Sequence, residues 1–226
     1  MDNVILNYSL IIVAFLITLI SQIIVSASYS KYKKILNNKD QTGFDVARKI
    51  LDKNGLDDIM IVETKGNLSD HYDPQRKVIK LSTDIYHGSS IASASVAAHE
   101  CGHAIQDKEK YKPMGIRKKL VPFVNICTRI GYIAITLGII FSYTLIEVGI
   151  VLLLSMLVFQ LITLPVEFNA SKRALSELEK LNILDNSKKK NAKKMLSAAA
   201  FTYVASVLST MLEILRYILI FTDRDR

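Results

Sequence analysis

The segment from Val96 to Gln106 reads VAAHECGHAIQ and sets a glutamate between two histidines in the order His-Glu-x-x-His. On a helix, residues i and i+4 lie on one face, so His99 and His103 can both turn an imidazole nitrogen toward one ion about 2.0 to 2.1 Å away. Glu100 stands one residue along. Its carboxylate can take a proton from a water that zinc has acidified and pass it to a leaving amine. The bland alternative is a pair of surface histidines on a polar helix face. The context argues against it: small residues surround the motif, a helix is expected across it, and strand-like segments precede it.

A catalytic zinc needs a third protein donor and keeps one position for water. The stretch HECGHAIQDKEKY offers no third histidine. Cys101 lies off the common face of the two histidines and is set aside as a ligand. A downstream glutamate remains, and the elements around it decide which one can reach.

Half of the 226 residues are hydrophobic, which is more than an ordinary soluble fold requires and makes a membrane protein the starting expectation. No charge occurs from Val4 to Ser30, a run longer than the roughly 20 residues a helix needs to cross the hydrocarbon core. The acidic start at Asp2 and the basic KYKK after the run favour an uncleaved span over a signal peptide. A helical hairpin is expected over 121–166 and a fourth span over 198–221. Arg129, Glu213 and Arg216 fall inside these spans, and the last two read as a lateral i, i+3 pair near a helix end.

Lysine and arginine crowd the 31–119 region and the 167–194 segment, whereas the N-terminus and the turn at Glu147 carry none, so both large polar regions are expected on the cytoplasmic side. The net charge of +8 is explained in the same way. With no Trp and no aromatic residues interleaved with basic ones, nucleic acid is not the expected partner. Cys101 and Cys127 cannot form a disulfide framework, which suits a reducing compartment.

The 31–119 insert reads as a small α+β unit. TGFDVARKILDKNGL is an amphipathic helix with Thr42 as cap and Gly55 as stop, and a second helix spans about 91–106 behind Ser89 or Ser90. IMIVE and KVIKLS read as strands, with DHYDPQRK as the turn between them. The edge of KVIKLS could take up an extended substrate, or serve structure alone. His71 could donate to an oxyanion, although a turn histidine without function is the commoner case. The expected fold is thus a mainly α membrane protein, four transmembrane helices with a small cytoplasmic α+β zincin-like insert.

This topology filters the third donor. Glu147 lies in the opposite turn and Glu213 deep in a span, which leaves Glu167, Glu177 and Glu179. Glu167 directly follows the third span, at the face where the motif helix leads into the second. Glu177 and Glu179 lie about 15 to 18 Å farther along the same helix and cannot easily share the site.

The stretches LSDHYDPQRKVIKLS, GSSIASASVAAHECGHAIQ and PVEFNASKRAL closely resemble the YugP-like membrane zinc metallopeptidases, over essentially the entire chain. More distantly, His-Glu-x-x-His followed after two spans by EFNAS resembles the Glu-x-x-x-Asp arrangement of the HtpX-like and CAAX prenyl protease gluzincins. The resemblance implies that His99, His103 and Glu167 bind zinc, that Glu100 is the general base, and that protein or peptide substrates are cleaved at the lipid bilayer. Localisation would be the cell membrane, with the site facing the cytoplasm. Where the distant relatives carry Asp, this chain has Ser171, which alters the group expected to orient a zinc ligand. Asn169 and Arg173 flank Glu167 and could serve at the transition state or behind the ligands. A competing reading is a non-catalytic adaptor or chaperone that keeps zinc for stability, but a structural site has no need of a base at Glu100.

Overall fold

The computed structural model describes residues 2–66 and 68–224. In chain order its elements are α1 (Asp2–Tyr32), α2 (Gly43–Lys53), β1 (Met60–Thr64), β2 (His71–Asp73), β3 (Val78–Ser82), α3 (Thr83–His87), α4 (Ile91–Lys108), α5 (Lys112–Phe141), α6 (Tyr143–Lys180) and α7 (Asn186–Arg224). Among the described residues four stretches are long and apolar enough to cross a bilayer, Ile5–Tyr32, Lys112–Phe141, Tyr143–Lys180 and Asn186–Thr222. The last three helices overrun the apolar runs read from the sequence. The 167–194 segment is therefore mostly continued helix, broken where Asn182 adopts positive φ and restarted where Asp185 Oδ1 accepts the N–H groups of Ser187 and Lys188.

The chain divides into two compact units. One comprises Met1–Ile23, Gly115–Pro165 and Phe201–Arg226, and the other Ile24–Met114 and Val166–Ala200. In the first, Ile135, Leu153, Ile214 and Tyr217 form a small core, and α5 meets α6 closely enough that a Cβ on Gly149 would stand 2.8 Å from the Gly131 carbonyl oxygen. Glu213 is not paired with Arg216, as the sequence suggested. Its carboxylate accepts hydrogen bonds from the hydroxyls of Tyr132 (3.1 Å) and Tyr217 (3.3 Å), while the Arg216 guanidinium lies over the Tyr217 ring.

The second unit carries the candidate chemistry. Thr42 and Asp45 make a reciprocal capping box at the start of α2, and Val46, Ala47, Ile50 and Leu51 bury one face of that helix. The sheet order is β1-β3-β2, with β1 parallel and β2 antiparallel to β3. Here the sequence reading needs correction. KVIKLS is the central strand, with both edges taken, and part of DHYDP is the edge strand β2 rather than turn. The Asp73-Pro74 turn signal is real, but three residues before it gain ladder bonds only through tertiary pairing with β3.

Candidate metal centre

Ser90 opens α4 by accepting the Ser93 N–H at 3.0 Å. Beyond that cap almost every side chain of α4 is buried, which suits a central helix built of alanine, serine and glycine. Its neighbour α6 approaches at Gly102, where an added Cβ would lie 2.6 Å from the Ala170 carbonyl oxygen. This close backbone approach brings Glu167, on the preceding turn of α6, to the two motif histidines.

Glu167 Oε2 lies 3.2 Å from His99 Nε2 and 3.5 Å from His103 Nε2, and one donor atom from each residue falls within 4.8 Å of the others. Two donors on a tetrahedral zinc are about 3.3 to 3.5 Å apart when each bond is 2.0 to 2.1 Å, and the two separations from Glu167 lie close to that spacing. Glu167 and His103 are buried, and His99 is partly open to solvent.

The remaining ring nitrogens are also engaged. Arg173 Nε can only donate, which makes Asn169 Oδ1 the acceptor at 2.7 Å. Asn169 Oδ1 and the Val166 carbonyl then both require a donor, supplied by the fully buried Gln106 Nε2 at 3.0 and 2.8 Å. Gln106 Oε1 consequently faces His103 Nδ1 at 3.0 Å and accepts its proton, leaving the Nε2 lone pair directed at Glu167. For His99 the partner of Nδ1 is Ser171 Oγ at 3.2 Å. Ser171, which stands where the distant relatives carry Asp, thus puts a neutral hydroxyl against His99 Nδ1.

Glu100 is buried beside the histidines and accepts the Tyr72 N–H at 2.9 Å. Burial pushes its carboxyl up to about 7; the neighbouring His99 opposes that rise, and the negative charges of Glu167 and Asp70 add to it. Tyr72 is clamped a second time, its hydroxyl donating to Asp107 Oδ2 at 3.1 Å, so β2 is fastened to α4 two turns apart. Asp70, itself raised by burial, holds the other end of β2 by accepting from Ser82 N at 2.7 Å and from its hydroxyl.

Of the residues singled out from sequence, His99, Glu100, His103, Glu167 and Ser171 gather at one place. Asn169 and Arg173 buttress Gln106 from behind, with Arg173 also bound to Glu109. His71 is exposed on β2, its Nδ1 2.8 Å from the Ser69 carbonyl. Gln106 and Tyr72 were missed. A glutamine three residues after the second histidine sits one turn from it, and that spacing was the available signal for Gln106. Tyr72 gave none, because its role depends on the pairing of β2.

Gln106→Leu keeps the volume and removes all three hydrogen bonds. It is expected to weaken zinc binding by about 10- to 100-fold, measured by competition with a chromophoric chelator. Affinity equal to wild type would show that packing alone orients His103.

A family model described as "Putative neutral zinc metallopeptidase" matches residues 7–222. The chain belongs to this family of zinc metallopeptidases. Among curated proteins, the "Putative membrane protease YugP" of Bacillus subtilis (strain 168) is 42% identical over 204 residues, covering 90% of this chain and 91% of that relative. No solved structure matches the chain. Zinc is the metal of the family, and the two imidazoles and one carboxylate gathered here are a donor set that could hold it.

Proposed function

We propose that the protein is an integral-membrane zinc endopeptidase of the gluzincin type, in which His99, His103 and Glu167 hold the metal and Glu100 is the general base. The observation that carries this reading is the convergence of Glu167 Oε2 on both histidine Nε2 atoms, with a buried carboxylate of raised pKa on the next residue of the same helix. Zinc bound there would acidify water and polarise the scissile carbonyl. Glu100 takes the proton from the attacking water and delivers it to the leaving amine nitrogen. Tyr72 N–H fixes one oxygen of that carboxylate. Gln106 keeps the His103 proton on Nδ1, away from the metal, and the Ser171 hydroxyl holds the His99 ring through its Nδ1. An extended substrate would meet the edge strand β2, which is fastened beside the base, rather than β3.

In this reading the segments 4–30, 121–166 and 198–221 cross the cell membrane, and 31–119 with 167–194 lies in the cytoplasm, supported by the lysine distribution. A membrane-impermeant thiol label on intact cells is expected to modify Glu147→Cys and to miss Lys189→Cys. The reverse pattern would place the site outside.

The chemical part is tested by Glu100→Gln in detergent-solubilised protein. The variant is expected to keep stoichiometric zinc and to lose at least about 100-fold in cleavage of an unfolded membrane-protein substrate, since the base is not a ligand. Equal cleavage by both proteins would overturn the peptidase assignment.

A further inference from the structure

Within the second unit, α6 and α7 flank a groove enclosing a cavity of about 450 Å³. One face of α6 contributes Phe168, Ser171, Lys172 and Leu175, and one face of α7 contributes Lys193, Leu196, Ser197 and Ala200. Its end farthest from the apolar runs is closed by an ion pair between Lys189 and Glu179. Lys172 and Lys193 are exposed and have no ion-pair partner among the described residues.

We propose that this groove seats the headgroup of an anionic phospholipid. The proposal rests on the membrane insertion proposed above and not on the peptidase chemistry. Phe168 follows the proposed span that ends at 166, and Ala200 lies just inside the one proposed to begin at 198, so these two residues mark the membrane end of the groove. Lys172 lies four residues beyond Phe168, about 6 Å along the helix, and Lys193 lies seven residues before Ala200, about 10 Å. The headgroup layer is roughly 5 to 8 Å deep on each side of the hydrocarbon, within reach of both flexible side chains. The two ammonium groups therefore stand at phosphate depth together with the Ser171 and Ser197 hydroxyls, while the apolar lining, Phe168, Leu175, Leu196 and Ala200, runs along the groove among them.

The sign of the ligand follows from the same residues. Glu179, the acidic group of the lining, is taken by Lys189, so the cationic part of a zwitterionic headgroup finds no free carboxylate there, while a net negative headgroup finds two free lysines. An acidic peptide fits less well, because it would need positive charge along the whole groove, and at the far end that charge is already neutralised.

The test uses the full-length protein in detergent and native mass spectrometry, with phosphatidylglycerol and phosphatidylcholine of identical acyl chains. Wild type is expected to retain phosphatidylglycerol and shed phosphatidylcholine. Lys172→Gln/Lys193→Gln is expected to lose roughly thirtyfold in phosphatidylglycerol affinity, the sum for two lysines at an anionic surface. Lys190→Gln/Lys194→Gln removes the same charge from exposed positions outside the groove and is expected to stay within about threefold of wild type. Circular dichroism establishes that both variants are folded. Equal retention of the two lipids by wild type would overturn the proposal, as would equal losses in the two double variants. Displacement of the lipid by an equal concentration of inorganic phosphate would make the groove a free-phosphate site, and displacement by an acidic peptide would make it a peptide site; either result overturns the lipid assignment.

Discussion

Glu167→Ala is expected to strip the protein of zinc and of all measurable cleavage while leaving it folded. The apparent binding energy of a four-ligand structural zinc site is about 10 to 16 kcal/mol, so one donor of an evenly shared set carries about 2.5 to 4 kcal/mol, or roughly 10²- to 10³-fold in affinity. The informative comparison is Glu177→Ala. Glu177 is also buried on α6, but its oxygens accept from Asn54 Nδ2 at 3.2 Å and Lys180 Nζ at 2.6 Å, joining α6 to the end of α2. Its removal is expected to cost about 0.5 to 1.5 kcal/mol of stability, the net worth of a lost hydrogen bond whose donor Asn54 Nδ2 still reaches the Ile50 carbonyl, with zinc content unchanged. Zinc content and thermal melting of the two variants separate these outcomes. Stoichiometric zinc in Glu167→Ala, with loss in Glu177→Ala, would reverse the assignment of the third donor.

The second large effect is expected from Gly102→Ala. The added methyl would meet the Ala170 carbonyl at 2.6 Å, and that oxygen belongs to backbone that no rotamer change can move. Overpacking of this kind costs about 1 to 3 kcal/mol, partly offset by the roughly 1 kcal/mol by which alanine exceeds glycine in a helix. Stability is thus expected to fall by up to about 2 kcal/mol. Function is expected to suffer more, because α4 carries two of the donors and α6 the third, and separating the helices misplaces them. A displacement near 1 Å can cost about 100-fold in rate. Loss of zinc affinity and activity out of proportion to the fall in melting temperature is the expected pattern. Wild-type zinc affinity would show that the close approach at Gly102 does not set the site.

Much of this arrangement is legible in one dimension because its causes are local. Helical spacing puts His99 and His103 on one face, Thr42 announces a capped helix, and uncharged length marks the long apolar helices. Glu167 could be reached from sequence because two apolar runs separate it from the motif, an even number of expected spans. The rest depends on contacts between segments distant in sequence. Nothing near Glu213 points to the hydroxyl of Tyr132, 81 residues earlier, so its partner was misread as Arg216. Glu177 reads as a solvated helix residue until Asn54 is brought against it. β2 has too few residues to show alternation, and its strand character comes from β3. Gln106 reads as the polar end of α4, whereas the fold makes it the buried link between His103 and the turn that carries Glu167.

The most direct test of the proposed centre is zinc K-edge X-ray absorption on the purified protein. The expected spectrum has a first shell of nitrogen and oxygen at about 2.0 to 2.1 Å, with the outer-shell signature of two imidazoles and no sulfur. A sulfur shell at about 2.3 Å, which would bring Cys101 or Cys127 into the coordination, or a protein that takes up no zinc, would contradict the His99, His103 and Glu167 site and the hydrolytic mechanism built on it.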